Sequence, residues 1–159
     1  MPVGSIMHSL ENKIPPPIIA AAFVAAMWGL SLTGSAIELN LTASAVSMVV
    51  LLVSGALFAI TGVLTFKRAE TTVNPLKPET ASSLVSSGVY RISRNPMYVG
   101  MALFLTAWGV YLSSALAIIG VPGFILYMNR YQIAPEERAL TEIFGSEFEI
   151  YQSKVRRWL

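Results

Sequence analysis

Cysteine is absent from all 159 residues, which removes disulfides, thiolate nucleophiles and cysteine-ligated metals from consideration. Histidine occurs once, as His8 in the N-terminal tail, so no site built on paired imidazoles is available. Charge is scarce: 13% of residues are charged against 54% apolar, and mean hydropathy is +0.61, where a soluble domain carries about 25% charged residues. The formal charge of +2 gives no sign of nucleic-acid binding, because the basic residues stand beside apolar runs rather than along one polar face. There is no internal repeat and no low-complexity tract. The opening MPVGSIMHSLENKIPPP lacks a short apolar core ending in small residues, so no cleaved signal peptide is expected.

What the chain does have is apolar length. Residues 14–37, 39–66 and 95–129 form three uncharged or nearly uncharged stretches, and about 20 apolar residues suffice to cross a bilayer. The expectation is an all-α integral membrane protein with one domain, 1–159, and about four transmembrane helices near residues 18–37, 42–66, 96–112 and 115–131. The last two form a tight hairpin around Leu112-Ser113-Ser114, and Pro15-Pro16-Pro17 is expected to lie ahead of the first helix. Four crossings would put the N-terminus, the 67–94 loop and the 132–159 tail on one side, together with all eleven lysines and arginines. By the positive-inside rule that side is cytoplasmic, in a bacterial inner membrane, with both termini cytoplasmic. Beyond Ile133, apolar residues at helical spacing predict an amphipathic cytoplasmic helix. Phe144-Gly145-Ser146 predicts a stop and restart, with Ser146 and Glu149 as a capping box. Phe148, Tyr151 and Trp158, beside Lys154, Arg156 and Arg157, suit a membrane interface.

Two clusters carry chemistry. Arg94-Asn95-Pro96 opens the third apolar run. The structural reading makes Asn95 a cap, Pro96 the first helical residue and Arg94 a side chain snorkelling to headgroups. The functional reading places an arginine and free helix N–H groups around an anion. Glu136-Glu137 after Pro135 either complements a helix dipole or meets a cationic, hydroxyl-bearing ligand. Neither cluster is specific by itself.

In their order and spacing they are. LVSSGVYRISRNPMYVGM, then a helical hairpin, then PEERALTEIFGSEFEIYQSKVRRW resembles the isoprenylcysteine carboxyl methyltransferase family, whose relatives include phospholipid N-methyltransferases. The resembling positions are Leu84-Val85, Ser87-Gly88-Val89-Tyr90, Arg94-Asn95-Pro96-Met97-Tyr98, Glu136-Glu137 and Phe144-Gly145, within a match from about Thr71 to Leu159. The resemblance implies an S-adenosylmethionine-dependent methyltransferase with no metal. Its cofactor pocket would be lined by Leu84, Val85, Tyr90, Asn95, Pro96, Met97, Tyr98 and Glu136. It also implies that Arg94 lies near the reacting groups and holds an anionic acceptor, such as a prenylcysteine-type carboxylate.

Two departures from the family pattern stand out. Asn95 replaces the family histidine and cannot serve as a base near pH 7. Gln132 stands where the family has a substrate-contacting arginine, with Arg130 two residues earlier. Arg94, Arg130 and Gln132 are thus the substrate-binding candidates. A carboxylate is already ionised at pH 7 and needs positioning rather than a base, which favours an anionic acceptor. Alternative readings are a phospholipid or small-molecule N-, O- or S-methyltransferase, a reductase of sterol-reductase architecture, for which no Gly-rich phosphate motif is present, and a non-catalytic membrane protein retaining the fold. The expected partners are a lipophilic or lipidated substrate and the bilayer, without nucleic acid.

Overall fold

A computed structural model describes residues 11–34, 36–69 and 82–159. The regular elements among them are helices: α1 (Pro16–Ser31), α2 (Leu41–Arg68), a 3-10 turn (Gly88–Arg91), α3 (Pro96–Leu112), α4 (Ala115–Ile118), α5 (Gly120–Met128), a π turn (Asn129–Ile133), α6 (Ala134–Phe144) and α7 (Ser146–Lys154). His8 and residues 70–81 of the proposed 67–94 loop lie outside the described residues.

Among the described residues one helix, α2, is long and apolar enough to cross a membrane. Asn40 starts it by accepting the Ala43 N–H at 3.0 Å, Lys67 and Arg68 complement its C-terminus, and Leu41, Val49, Val53, Leu57 and Ile60 stand exposed along it. The first helix differs from the expected 18–37. It begins at Pro16, because a proline in the first turn forfeits only an N–H that has no intrahelical partner. It ends at Ser31, ahead of Gly34, and its 16 residues span about 24 Å. The third helix has the expected limits.

The expected 115–131 helix is not a single helix. Pro122 has no N–H and crowds the carbonyl four residues back, at Ile118, which is the last residue of α4. Further along, the Ala134 N–H reaches the Asn129 carbonyl, five residues back, which closes the π turn. The next residue, Pro135, leaves the Tyr131 carbonyl without its helical donor, and the Asn12 N–H takes that place at 3.1 Å. The helical path therefore runs on from α5 into α6 without the expected boundary between span and tail.

Helix α3 is the axis of the fold, with Tyr98, Val99, Gly100, Leu105, Ala107 and Gly109 buried. On one side it meets α2 through small residues. A Cβ on Gly100 would lie 2.7 Å from the Gly55 carbonyl oxygen, and one on Gly62 would lie 2.9 Å from Met97 Cγ. On the other side Ile19 and Met27 of α1, Phe124 and Met128 of α5, and Ile133 complete the main core. The hairpin turn falls where expected: Ser113 is left-handed (φ 48°) and Ser114 caps α4. Ile37 N–H donates to the Ser113 carbonyl at 2.6 Å, tying the segment after α1 to this turn. The described basic residues and both chemical clusters collect at the other end.

A second, smaller core forms there from Val85, Tyr90, Phe148 and Tyr151, flanked by Phe66, Leu140 and Phe144. Phe148 and Tyr151 are thus interior residues, not interface anchors, because the 3-10 turn and α6 cover them. Gly145 (φ +52°) makes the predicted break between α6 and α7. It also acts as the cap residue of α7, so Ser146 is already helical and the Ser146–Glu149 capping box does not form.

Candidate active site

The Asn-Pro pair fixes where α3 begins, and with it the position of Tyr98 one turn in. Tyr98 Oη donates to Glu136 Oε1 at 2.5 Å. Gln132, four residues before Glu136 across the π turn and almost fully buried, donates its Nε2 to the same oxygen at 3.4 Å. The extra residue in the π turn sets the phase at which Glu136 meets Tyr98. Burial pushes the Glu136 carboxyl up to about 8, against the lowering effect of these two donors, and the neighbouring Glu137 charge adds to the rise.

Tyr90 is buried beside this carboxyl. Desolvation, then Tyr151 and Glu136, push its phenol well above the ordinary value. Its Oη has no hydrogen-bond partner among the described residues, while its carbonyl accepts from Tyr151 Oη at 2.7 Å. The Phe66 ring stands edge-on to Tyr90 at 5.2 Å. Val85 is buried and Leu84 packs against the same small core.

A charged network lies alongside. Arg94 Nη2 donates to Glu137 Oε1 at 2.7 Å and Nη1 to the Gln152 carbonyl at 3.1 Å. Arg157 grips Glu137 with both prongs, Nε to Oε1 at 3.1 Å and Nη2 to Oε2 at 2.5 Å. The Arg94 side chain is 12% exposed, so it does not snorkel. Asn95 does not cap α3 through its side chain. Its Nδ2 instead donates to the Arg157 carbonyl at 2.9 Å, and the Arg94 N–H donates to the Arg156 carbonyl at 3.0 Å. Trp158 Nε1 donates to Asn129 Oδ1 at 2.9 Å. The 155–158 segment is therefore stitched across the start of α3.

Of the residues expected in the site, Leu84, Val85, Tyr90, Asn95, Tyr98, Gln132 and Glu136 gather at this end of α3. Pro96 and Met97 lie there too, turned toward Gly62 of α2. Arg130 is directed elsewhere, 3.6 Å from Glu11, which also pairs with Arg138 at 2.5 Å. Sequence reasoning missed Arg157 and gave Glu137 no partner. The only trace was a basic Arg156-Arg157 pair that suited a membrane surface equally well.

A helical chain with an exposed apolar helix, carrying a buried carboxyl–phenol cluster at one end, defines a class of membrane-type proteins. Residues 43–147 match the phospholipid methyltransferase family, and the chain belongs to that family. A probable protein-S-isoprenylcysteine O-methyltransferase of Oryza sativa (subsp. indica) is 31% identical over 113 residues, which is 69% of this chain and 58% of that protein. Protein-S-isoprenylcysteine O-methyltransferase B of Arabidopsis thaliana is 26% identical over 105 residues, 66% of this chain and 53% of that protein. These relatives bear out the resemblance drawn from the motifs, although the chain spans just over half their length. An uncharacterized protein of Haemophilus influenzae is 49% identical over 63 residues, 40% of this chain and the whole of that protein.

Proposed function

We propose that this chain is an integral membrane S-adenosylmethionine-dependent methyltransferase acting on a lipophilic acceptor that bears a carboxylate, of the prenylcysteine type. In this reading α1, α2, α3 and the α4–α5 segment are the four crossings, the last two a tight hairpin. The amphipathic α6 lies with α7 on the cytoplasmic face of a bacterial inner membrane, where both termini also lie. The Tyr98–Glu136–Gln132 cluster is the observation that carries the reading.

The residues present fit the cofactor. A buried carboxyl held near 8 gains most from a cation such as an α-amino group, and the unpartnered Tyr90 Oη offers a hydroxyl to a polar ligand. Glu136, Tyr98, Tyr90 and Gln132 would hold it, with Leu84 and Val85 as apolar wall. When bound, S-adenosylmethionine supplies an electrophilic methyl group on a sulfonium. The chain's part is alignment and exclusion of water. Arg94 orients the acceptor oxyanion, and the buried carboxyl keeps the cationic end of the donor fixed. No base is needed for a carboxylate. An amine acceptor, the second reading, is favoured by one feature: a carboxyl poised near 8 suits proton removal close to neutral pH.

Calorimetric titration of S-adenosylhomocysteine into detergent-purified protein tests the reading. Micromolar binding is expected, weakened by about 1–3 kcal/mol in Glu136→Ala, the cost of losing hydrogen bonds to a charged group. Absence of binding to folded protein would leave a non-catalytic relative.

A further inference from the structure

Arg94 has five N–H donors, and the structure accounts for only some of them. Nη2 goes to Glu137 and Nη1 to the Gln152 carbonyl, while Nε is buried with no hydrogen-bond partner among the described residues. Glu137 does not sit on Arg94 alone, because Arg157 grips both of its oxygens. Two guanidinium groups therefore share one carboxylate. Among the described residues the cluster keeps one uncompensated positive charge, next to a buried donor without a partner. Burying such a donor is costly unless a ligand completes it.

We infer that Arg157 and Glu137 are positioning residues that present the Arg94 Nε to a single oxyanion, making the site selective for acceptors with one negative charge. The inference rests on the methyltransferase reading of Arg94 and adds its selectivity. Arg157 fixes the Glu137 carboxylate, Glu137 fixes the Nη2 edge of Arg94, and the Gln152 carbonyl fixes Nη1. What is left is Nε, the Arg94 nitrogen with no partner among the described residues, and a net charge of +1. A monoanion neutralises the cluster, a dianion overcharges it, and a neutral group leaves the Nε donor and the charge unmet.

A carboxylate on a prenylated cysteine and a phosphodiester in a lipid headgroup share this chemistry. Both belong in the test. N-acetyl-S-farnesylcysteine, its carboxamide and micellar short-chain phosphatidylethanolamine are titrated into full-length detergent-solubilised protein that holds S-adenosylhomocysteine. The carboxylate is expected to bind at least 10-fold more tightly than the carboxamide. Preferential binding of the phosphodiester would support the same monoanion site with a lipid as its source. In Arg157→Ala the preference should fall to within about 2-fold, with S-adenosylhomocysteine affinity unchanged, and Arg157→Lys should restore part of it by returning the charge without the two-pronged grip. Glu137→Gln, which needs no new cavity, should raise affinity for the anion and abolish discrimination against dianions. Equal binding of carboxylate and carboxamide, with no phosphodiester binding, would overturn the inference while S-adenosylhomocysteine binding left the methyltransferase reading in place. Failure to bind S-adenosylhomocysteine would instead remove the reading itself.

Discussion

At the scale of the residue, Glu136 shows how environment rather than identity sets chemistry. A carboxyl that loses water through burial favours its neutral form, and the folded pKa of about 8 lies above the ordinary value of 4.5. Between these values the folded protein holds a proton that the unfolded chain has released. The Glu136 contribution to stability is therefore fully present below about 4.5, and is lost as pH rises toward 8. Binding of a cationic ligand has the opposite sense, because the ionised carboxyl is the better partner. Affinity for S-adenosylhomocysteine should rise by up to about tenfold per pH unit between roughly 6 and 8, then level off, with proton release on binding. Calorimetry in buffers of different ionisation enthalpy reads both, and Glu136→Gln should flatten the profile. A profile unchanged by Glu136→Gln would assign the titration to another group.

Glu136 and Tyr98 were legible in the sequence because the Pro-x-Tyr and Pro-Glu-Glu motifs name them. Arg157 was not, since nothing in KVRRW distinguishes an arginine that reaches back to Glu137 from one that faces lipid headgroups. Asn95 shows the same limit. Its place before Pro96 made it a helix cap, and only the fold reveals that a carbonyl from the far end of the chain claims its amide.

Among the elements, the α2–α3 contact depends on absent side chains. Gly55, Ala59 and Gly100 let two backbones approach until a carbonyl occupies the space of a Cβ. Gly100→Ala should therefore destabilise the protein by about 1–3 kcal/mol, the usual cost of overpacking a well-filled interior. Thermal unfolding in detergent measures this, with Gly29→Ala as control, since a Cβ there meets nothing within 4 Å. An equal loss in both variants would show that the α2–α3 contact is not its source, since Ala at an open helical position should stabilise. The start of α3 followed from Asn95-Pro96, a local signal, and α2 lies within two residues of the expected 42–66 at either end. The expected 115–131 segment read as one helix because periodicity does not register Pro122 as an interruption when helical side-chain spacing resumes beyond it.

For the whole molecule, separation of charge is the governing pattern. The described basic residues, the carboxyl–phenol cluster and the arginine network lie at one end of α3, and the Ser113-Ser114 turn lies at the other with the Ile37 contact. The four-crossing reading predicts that these ends face opposite sides of the membrane. The chain's lack of cysteine makes the test direct, since any introduced thiol is the sole target. In intact cells Ser113→Cys should react with an impermeant maleimide, whereas Lys154→Cys should react only after permeabilisation. Reaction of both in intact cells would rule out cytoplasmic placement of the tail.

The π turn at Asn129–Ile133 separates the chain before it from the chain after it in rotational phase. An extra residue in one helical turn swings everything downstream by about 100°. The membrane-facing pattern upstream and the chemical face downstream therefore answer to different angular origins. Had the rod been uniformly α-helical, Glu136 would point along the direction now taken by a neighbour, and Tyr98 would face a different residue. A change of hydrogen-bond register, rather than any change of side chain, decides which glutamate the site receives.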